Sequence, residues 1–256
     1  MSDWDSNQYL KFKRERTQPA ADLLSHVPLE APVKILDIGC GPGNSTQVLA
    51  QRYPNAEIIG IDSSKNMIEA ARKNCPQLEF RICDASSELE TLGKDFDLVF
   101  SNACIQWIEN HDRIIPYWMS VLKSGGAIAV QMPMNYDEPI QLLIQKVTGS
   151  DKWKSYFPNP RVFFNLTPEE YFDLLSRVSP DFSMWRTYYY HSMNSIQDIL
   201  EWYRSTGLKP YLDVLPEDKK ESFEQDIMEE IKTAYPAREN GRVILRFPRF
   251  FFIARK

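Results

Sequence analysis

The chain has 256 residues, 30 lysines and arginines against 35 aspartates and glutamates, a net charge of −5 and 43% hydrophobic residues. That length gives one large domain or two small ones, with enough apolar surface to fold without disulfide or metal staples. A mildly acidic chain with no basic block is a poor generic binder of nucleic acid. The start MSDWDSNQYLKFKRER lacks an apolar leader core, and no later run reaches the ~20 apolar residues of a membrane span, so the cytoplasm is the expected compartment. Cys40, Cys75, Cys83 and Cys104 form no C-x-x-C pair and read as buried or loop thiols, with no metal site expected.

In chain order, VKILDIG reads as a strand, NSTQVLAQRY as a helix ended by Pro54, AEIIGID as a strand, and SKNMIEAARKN as a helix capped by Ser63 or Ser64. LEFRICD, DFDLVFSNA and GAIAVQM add strands, with SSELETLG and HDRIIPYWMSVLK in the connections. This alternation predicts an α/β fold, a doubly wound, Rossmann-like and mostly parallel sheet. After Met132 aromatic residues and prolines become dense around the helical stretches EPIQLLIQKV, TPEEYFDLLSRV and SIQDILEWYRS. FSMWRTYYYHSM and RVILRFPRFFFIA read as late strands, the second following an Asn240-Gly241 turn, and PEDKKESFEQDIMEEIKTA as an exposed amphipathic helix.

The main chemical signal is Leu36-Asp37-Ile38-Gly39-Cys40-Gly41-Pro42-Gly43-Asn44, where a first strand turns into a helix. Glycines there allow a tight turn and close approach of a ligand, and the helix start offers unpaired N–H groups. The third glycine comes one place early for a dinucleotide fingerprint, and Asn44 holds the expected place. Asp37 would repel a pyrophosphate but suits a ligand with an ammonium and a sulfonium, such as S-adenosylmethionine. Asp62 ends the second strand near the ~20-residue spacing at which an acid meets a ribose diol. Asp84 ends the third, where a carboxylate accepts from an adenine amino group.

Beyond these residues, YLKFKRER, GIDSSKNMIEAA, SNACIQW, VQMPMN, WRTYYYHSM, EWYRSTGLKP and YPARENGRVILRFPRFFFIAR carry an end-to-end resemblance to class I S-adenosylmethionine-dependent methyltransferases, in particular those that esterify a tricarboxylic acid. It is weakest from Lys152 to Asn165, and Cys104 stands where a small polar residue is more usual. The resemblance implies one methyltransferase domain over residues 1–256 with a seven-stranded sheet and an antiparallel late strand. Its cofactor core would lie at about 30–133, helical lid elements at about 1–26, 134–180 and 194–236, and late strands at about 181–193 and 242–255. It also implies that Arg16, Asp37, Gly39, Cys40, Gly41, Asp62, Ser63, Met67, Asp84, Ala85 and Asn102 bind the cofactor, and that the segment around Tyr9, Phe12 and Arg16 folds over the site. The products would be S-adenosylhomocysteine and a monomethyl ester, with trans-aconitate as the acceptor.

A carboxylate of pKa ~4 is ionised at neutral pH, so methyl transfer to it needs no general base, and no catalytic residue is expected. A trianionic acceptor calls for bidentate donors. Arg16, Arg186 and Arg249 are the candidates, with Tyr189 and His191 as neutral donors, Trp107 and Trp202 as walls, and Gln131 leaving the fifth strand nearby. On a regular strand Tyr189 and His191 share a face and Arg186 points the other way unless a bulge intervenes. His26 and His111 read as structural or exposed. Other di- or tricarboxylates, an acyl-carrier-bound malonyl group, and a non-catalytic cofactor-binding module remain as alternatives. No nucleic-acid or membrane partner is expected, and a monomer is the default.

Overall fold

Short runs rich in Ile, Leu, Val and Phe pair into a seven-stranded sheet of order β3-β2-β1-β4-β5-β7-β6. The structure is a computed structural model that describes residues 13–158, 163–204 and 206–256, with the side chains of residues 13–16 outside that description. β1 (Lys34–Ile38), β2 (Glu57–Asp62), β3 (Glu79–Ile82), β4 (Phe96–Asn102) and β5 (Leu122–Pro133) run parallel. β7 (Val243–Arg255) lies antiparallel between β5 and β6 (Phe182–Met193). The central strands are almost continuously apolar because helices cover both faces. Strand order reverses between β1 and β4, which opens a crevice at the carboxyl ends of these two strands.

On one face, Ile35, Leu98, Phe100, Ala129 and Phe251 pack against Leu23 and Leu24 of α1 (Lys13–Ser25) and Leu49 of α2 (Asn44–Arg52). On the other, Leu36, Ile38, Val99, Val130 and Phe252 meet Ile115 and Trp118 of α4 (His111–Ser120) and Leu174 of the later helix Pro168–Val178. α3 (Lys65–Asn74) presents Ile68 and Ala71 to Phe80 and Cys40. Ser64 is the residue that caps it, accepting from Met67 N at 3.2 Å.

After β5 the chain builds a second apolar cluster from α5 (Pro139–Thr148), α7 (Ile196–Arg204) and α9 (Glu217–Ala234), with Leu245 and Phe247 of β7 as its floor. The charged segment is indeed helical, and Phe223, Ile227 and Ile231 recur at helical spacing to fill that cluster. α6 (Pro168–Val178) starts on a capping box between Thr167 and Glu170 and packs on the sheet. α8 (Lys209–Val214) was not anticipated from sequence.

Candidate active site

β1 ends in the glycine loop, and each glycine has a different task. Gly39 lies at φ +72°, and a Cβ there would fall 2.3 Å from Cys104 Cβ and Sγ, so no other residue fits. Gly43 lies at φ +95° and opens α2. At Gly41, φ +54°, a Cβ would meet nothing within 4 Å: the loop faces open space there.

Asp37 is fully buried, on the sheet face that α2 covers. Ser45 and Thr46, in the first turn of α2, donate to its Oδ2 at 2.7 and 2.6 Å. Its Oδ1 is buried with no partner. Burial raises its pKa to about 6 against the pull of those two hydroxyls, with Asp62 adding to the rise. Asp62 accepts from Gly41 N at 3.1 Å and Ser64 N at 2.9 Å, which ties the end of β2 to the loop. Ser63 beside it is exposed, while Met67 and Cys40 are buried. Asp84 lies two residues beyond β3 and is exposed, its Oδ1 accepting from Ser86 N and Oγ at 2.8 and 2.7 Å. The carbonyl of the buried Ala85 accepts from Trp118 Nε1 at 2.9 Å.

Asn102 closes β4 directly opposite Gln131 of β5, and its Oδ1 is a second buried acceptor with no partner among the described residues. Ala103 follows at φ 56°, a left-handed conformation unusual for alanine, and its N–H donates to Gln131 O at 2.8 Å. Cys104 fills the space beside Gly39; burial, with Asp62 and Asp37 close by, pushes its thiol far up and keeps it protonated.

Positive charge enters from the other half of the sheet. Arg249 on β7 lies opposite Pro133, the last residue of β5, and is 4% exposed. It donates from Nη1 to Gln131 Oε1 at 3.4 Å, and its guanidinium sits 4.7 Å from the Phe247 ring centre. Arginine can only donate, so Gln131 presents its oxygen to Arg249 and is left with a buried Nε2 donor that has no partner among the described residues.

The β6–β7 register runs unbroken from Phe182 to Met193, so no bulge intervenes. Tyr189 and His191 therefore share the Arg249 face, and Arg186, opposite Phe250, lies on the other, beside Tyr188, Tyr136 and Asp137. Of the three candidate arginines, Arg186 and Arg249 thus lie on opposite faces of the sheet. Arg249 is in place, Arg186 is set apart, and the side chain of Arg16 lies outside the description, as do Tyr9 and Phe12. Tyr189 also departs from its expected role, because its hydroxyl donates to Asp22 Oδ2 of α1. His191 lies 5.0 Å from Trp202, ring centre to ring centre, and Trp202 belongs to the second apolar cluster. Trp107 is half-buried and 5.4 Å from Phe163.

His111 is structural: its ring nitrogens face Tyr171 Oη at 2.7 Å and Ile105 O at 2.9 Å. His26 is exposed against Trp185. Sequence reasoning missed Ser45 and Thr46, although hydroxyls in the first turn after a glycine loop are a readable signal. It also missed Asp22, which no local pattern marks.

Two buried acceptor oxygens at neighbouring strand ends, beside a glycine open to the crevice, fit a cationic ligand with a nucleoside rather than a phosphate chain. That chemistry, on a sheet of this order, defines a class I S-adenosylmethionine-dependent methyltransferase. Residues 35–126 match the family described as a methyltransferase domain. The fold is shared with the YcgJ protein of Bacillus subtilis, at a TM-score of 0.61 and 15% identity over 93% of this chain and 99% of that one. The trans-aconitate 2-methyltransferase of Methylobacterium radiotolerans is 42% identical over 100% of this chain and 99% of its own, and that of Rhodopseudomonas palustris is 39% identical over 100% of both. The chain belongs to the trans-aconitate 2-methyltransferase family. Among the described residues no helix is long and apolar enough to cross a membrane, and no group of three or more His, Cys, Asp or Glu is placed to hold a metal ion.

Proposed function

We propose that the protein transfers a methyl group from S-adenosylmethionine to one carboxylate of trans-aconitate, forming a monomethyl ester. The observation that carries this reading is the division of the crevice: acids at the ends of β1 and β2 and past β3, and the Arg249–Gln131 pair at the junction of β5 and β7. Asp37 and Asn102 would hold the cofactor's cationic end, Asp62 the ribose and Asp84 the adenine, with Gly39, Cys40, Gly41, Ser63, Met67 and Ala85 shaping the walls. When bound, S-adenosylmethionine supplies a methyl carbon already activated by positive sulfur.

What remains for the chain is placement. The acceptor carboxylate is ionised at neutral pH, so no residue need remove a proton. Holding the reactants at near-attack geometry is worth on the order of 7–11 kcal/mol, and the lid cluster over the β5–β7 end would exclude water. Arg249 and Gln131 Nε2 present N–H donors to the acceptor, with Trp107, His191 and Trp202 as nearby walls. Arg186 is reserved for a carboxylate reaching over the opposite face, and Arg16 for the entrance. This reading takes residues 1–256 as one domain, the core at about 30–133 with the lid and late strands added, acting as a cytoplasmic monomer on a small acid without nucleic acid or membrane.

The test is incubation of the purified protein with labelled cofactor and trans-aconitate, cis-aconitate, citrate or isopropylmalate. Labelled ester is expected with trans-aconitate above all. Equal or greater transfer to another acid would reassign the acceptor, and none to any would remove the activity for the whole panel.

A further inference from the structure

Between α5 and α6 the chain returns to the sheet as a short strap, residues 163–166. Each residue makes a contact at the carboxyl edge: the Phe163 ring lies 5.4 Å from that of Trp107, Phe164 N donates to Gln106 O at 3.3 Å, Asn165 Nδ2 donates to Pro133 O at 2.6 Å, and Leu166 packs on the sheet core. The floor under the strap is itself pinned, because Gln106 Nε2 donates to Ala103 O at 2.8 Å. Pro133 ends β5 two residues after Gln131, and its partner across β7 is Arg249. The strap is therefore fastened beside the residues read above as the acceptor clamp.

The bond to Pro133 O fixes the Asn165 amide, since a carbonyl can only accept and Nδ2 must face it. Oδ1 is then turned inward, buried and without a partner among the described residues. An orphaned buried acceptor opposes folding, and such groups persist where a site needs their other half. Aspartate or alanine here would lose the donor, and serine is too short to reach.

We propose that Asn165 is a positioning residue for the acceptor: by tying the strap to the end of β5, it closes the crevice over the carboxylate that Gln131 and Arg249 hold. The inference rests on the acceptor reading given above. Its test compares Asn165→Ala with Asn165→His, whose Nδ1–H stands near the place of the amide nitrogen. In Asn165→Ala the acceptor KM is expected to rise about tenfold, the scale of one lost hydrogen bond, with affinity for S-adenosylhomocysteine changed less than about twofold. Asn165→His should recover most of the KM. Hydrogen exchange of the strap amides should quicken in Asn165→Ala and not in Asn165→His. Unchanged KM, or KM and cofactor affinity weakening together with a lowered Tm, overturns the proposal. If the wild-type protein methylates no acid in the panel, the acceptor reading fails by itself. The strap is then judged on exchange in the S-adenosylhomocysteine complex, where an unchanged Phe164 amide refutes the fastening and a quickened one supports it.

Discussion

The two halves of the crevice are built by different means. On the cofactor side the contacts stay close along the chain: Asp37 meets the first turn of α2, Asp84 meets Ser86, and Asp62 meets Ser64 and, 21 positions back, the N–H of Gly41. On the acceptor side nothing is local. Arg249 reaches Gln131 across 118 positions of chain, Tyr189 reaches Asp22 across 167, and Asn165 reaches Pro133 across 32. One side tolerates change only where backbone geometry allows it, whereas the other depends on strand register holding distant side chains together.

The largest effect should come from the loop. Gly39→Ala adds a methyl group 2.3 Å from Cys104 at a left-handed φ of +72°. Overpacking and backbone strain together should cost ~2–5 kcal/mol, read as a drop in Tm and loss of cofactor binding. Adding Cys104→Ala relieves only the Sγ part of the overlap and should restore stability in part. Gly41→Ala is the contrast, because its Cβ enters open space. Stability should fall by only ~1–2 kcal/mol, the left-handed strain, while cofactor affinity falls much further. Equal loss of stability in both variants would erase the distinction between the glycine that builds the loop and the one that faces the ligand.

Asp37 divides the two sides again by pH. Its folded pKa of about 6 lies above the ordinary 3.8, so the stability it contributes is present below about pH 4 and lost as pH rises through 6. A shift of this size corresponds to ~3 kcal/mol. Cofactor affinity should run the opposite way, because a cation prefers the carboxylate: it should weaken by up to about tenfold per pH unit below 6. Asp37→Asn should flatten both slopes, with unfolding and calorimetry at pH 5 and 7.5 as the measurements. A cofactor affinity with the same pH slope in the variant would move the cation elsewhere.

These differences explain what was legible in the sequence. The glycine loop, the three acids and the alternation of strands and helices declare themselves within a few residues, because a turn or a cap leaves its mark beside the group it serves. The face assignments of Tyr189, His191 and Arg186 followed from period two, and the unbroken register of β6 bore that reasoning out. The pairing of β6 with β7 rather than with β5, which brings Arg249 beside Gln131, has no local signature. Neither does the hydrogen bond that the Tyr189 hydroxyl donates to Asp22, since nothing in ADLLSH or TYYYH announces the other.

On the acceptor side, Arg249→Lys should keep the charge and lose the fork. An acceptor KM higher by about 10–100-fold with unchanged cofactor affinity is expected, the range for charged hydrogen bonds. No change would place the clamp elsewhere, with Arg186 next to test.

The smallest effect sharpens the comparison most. Tyr189 stands on the acceptor face but has one hydroxyl proton, and it is directed at Asp22; burial and this carboxylate push its pKa further up, so the hydroxyl stays protonated at every working pH. It can accept from a ligand but not donate to a carboxylate. Tyr189→Phe should therefore cost ~1 kcal/mol of stability, by loosening α1 from β6, and shift the acceptor KM less than about twofold. Asp22→Asn, which leaves an acceptor for the hydroxyl, should cost less than Tyr189→Phe in the same unfolding measurement. A tenfold rise in KM for Tyr189→Phe would mean that the hydroxyl leaves Asp22 when the acid enters, and the acceptor side would then be remade on binding rather than held ready by register.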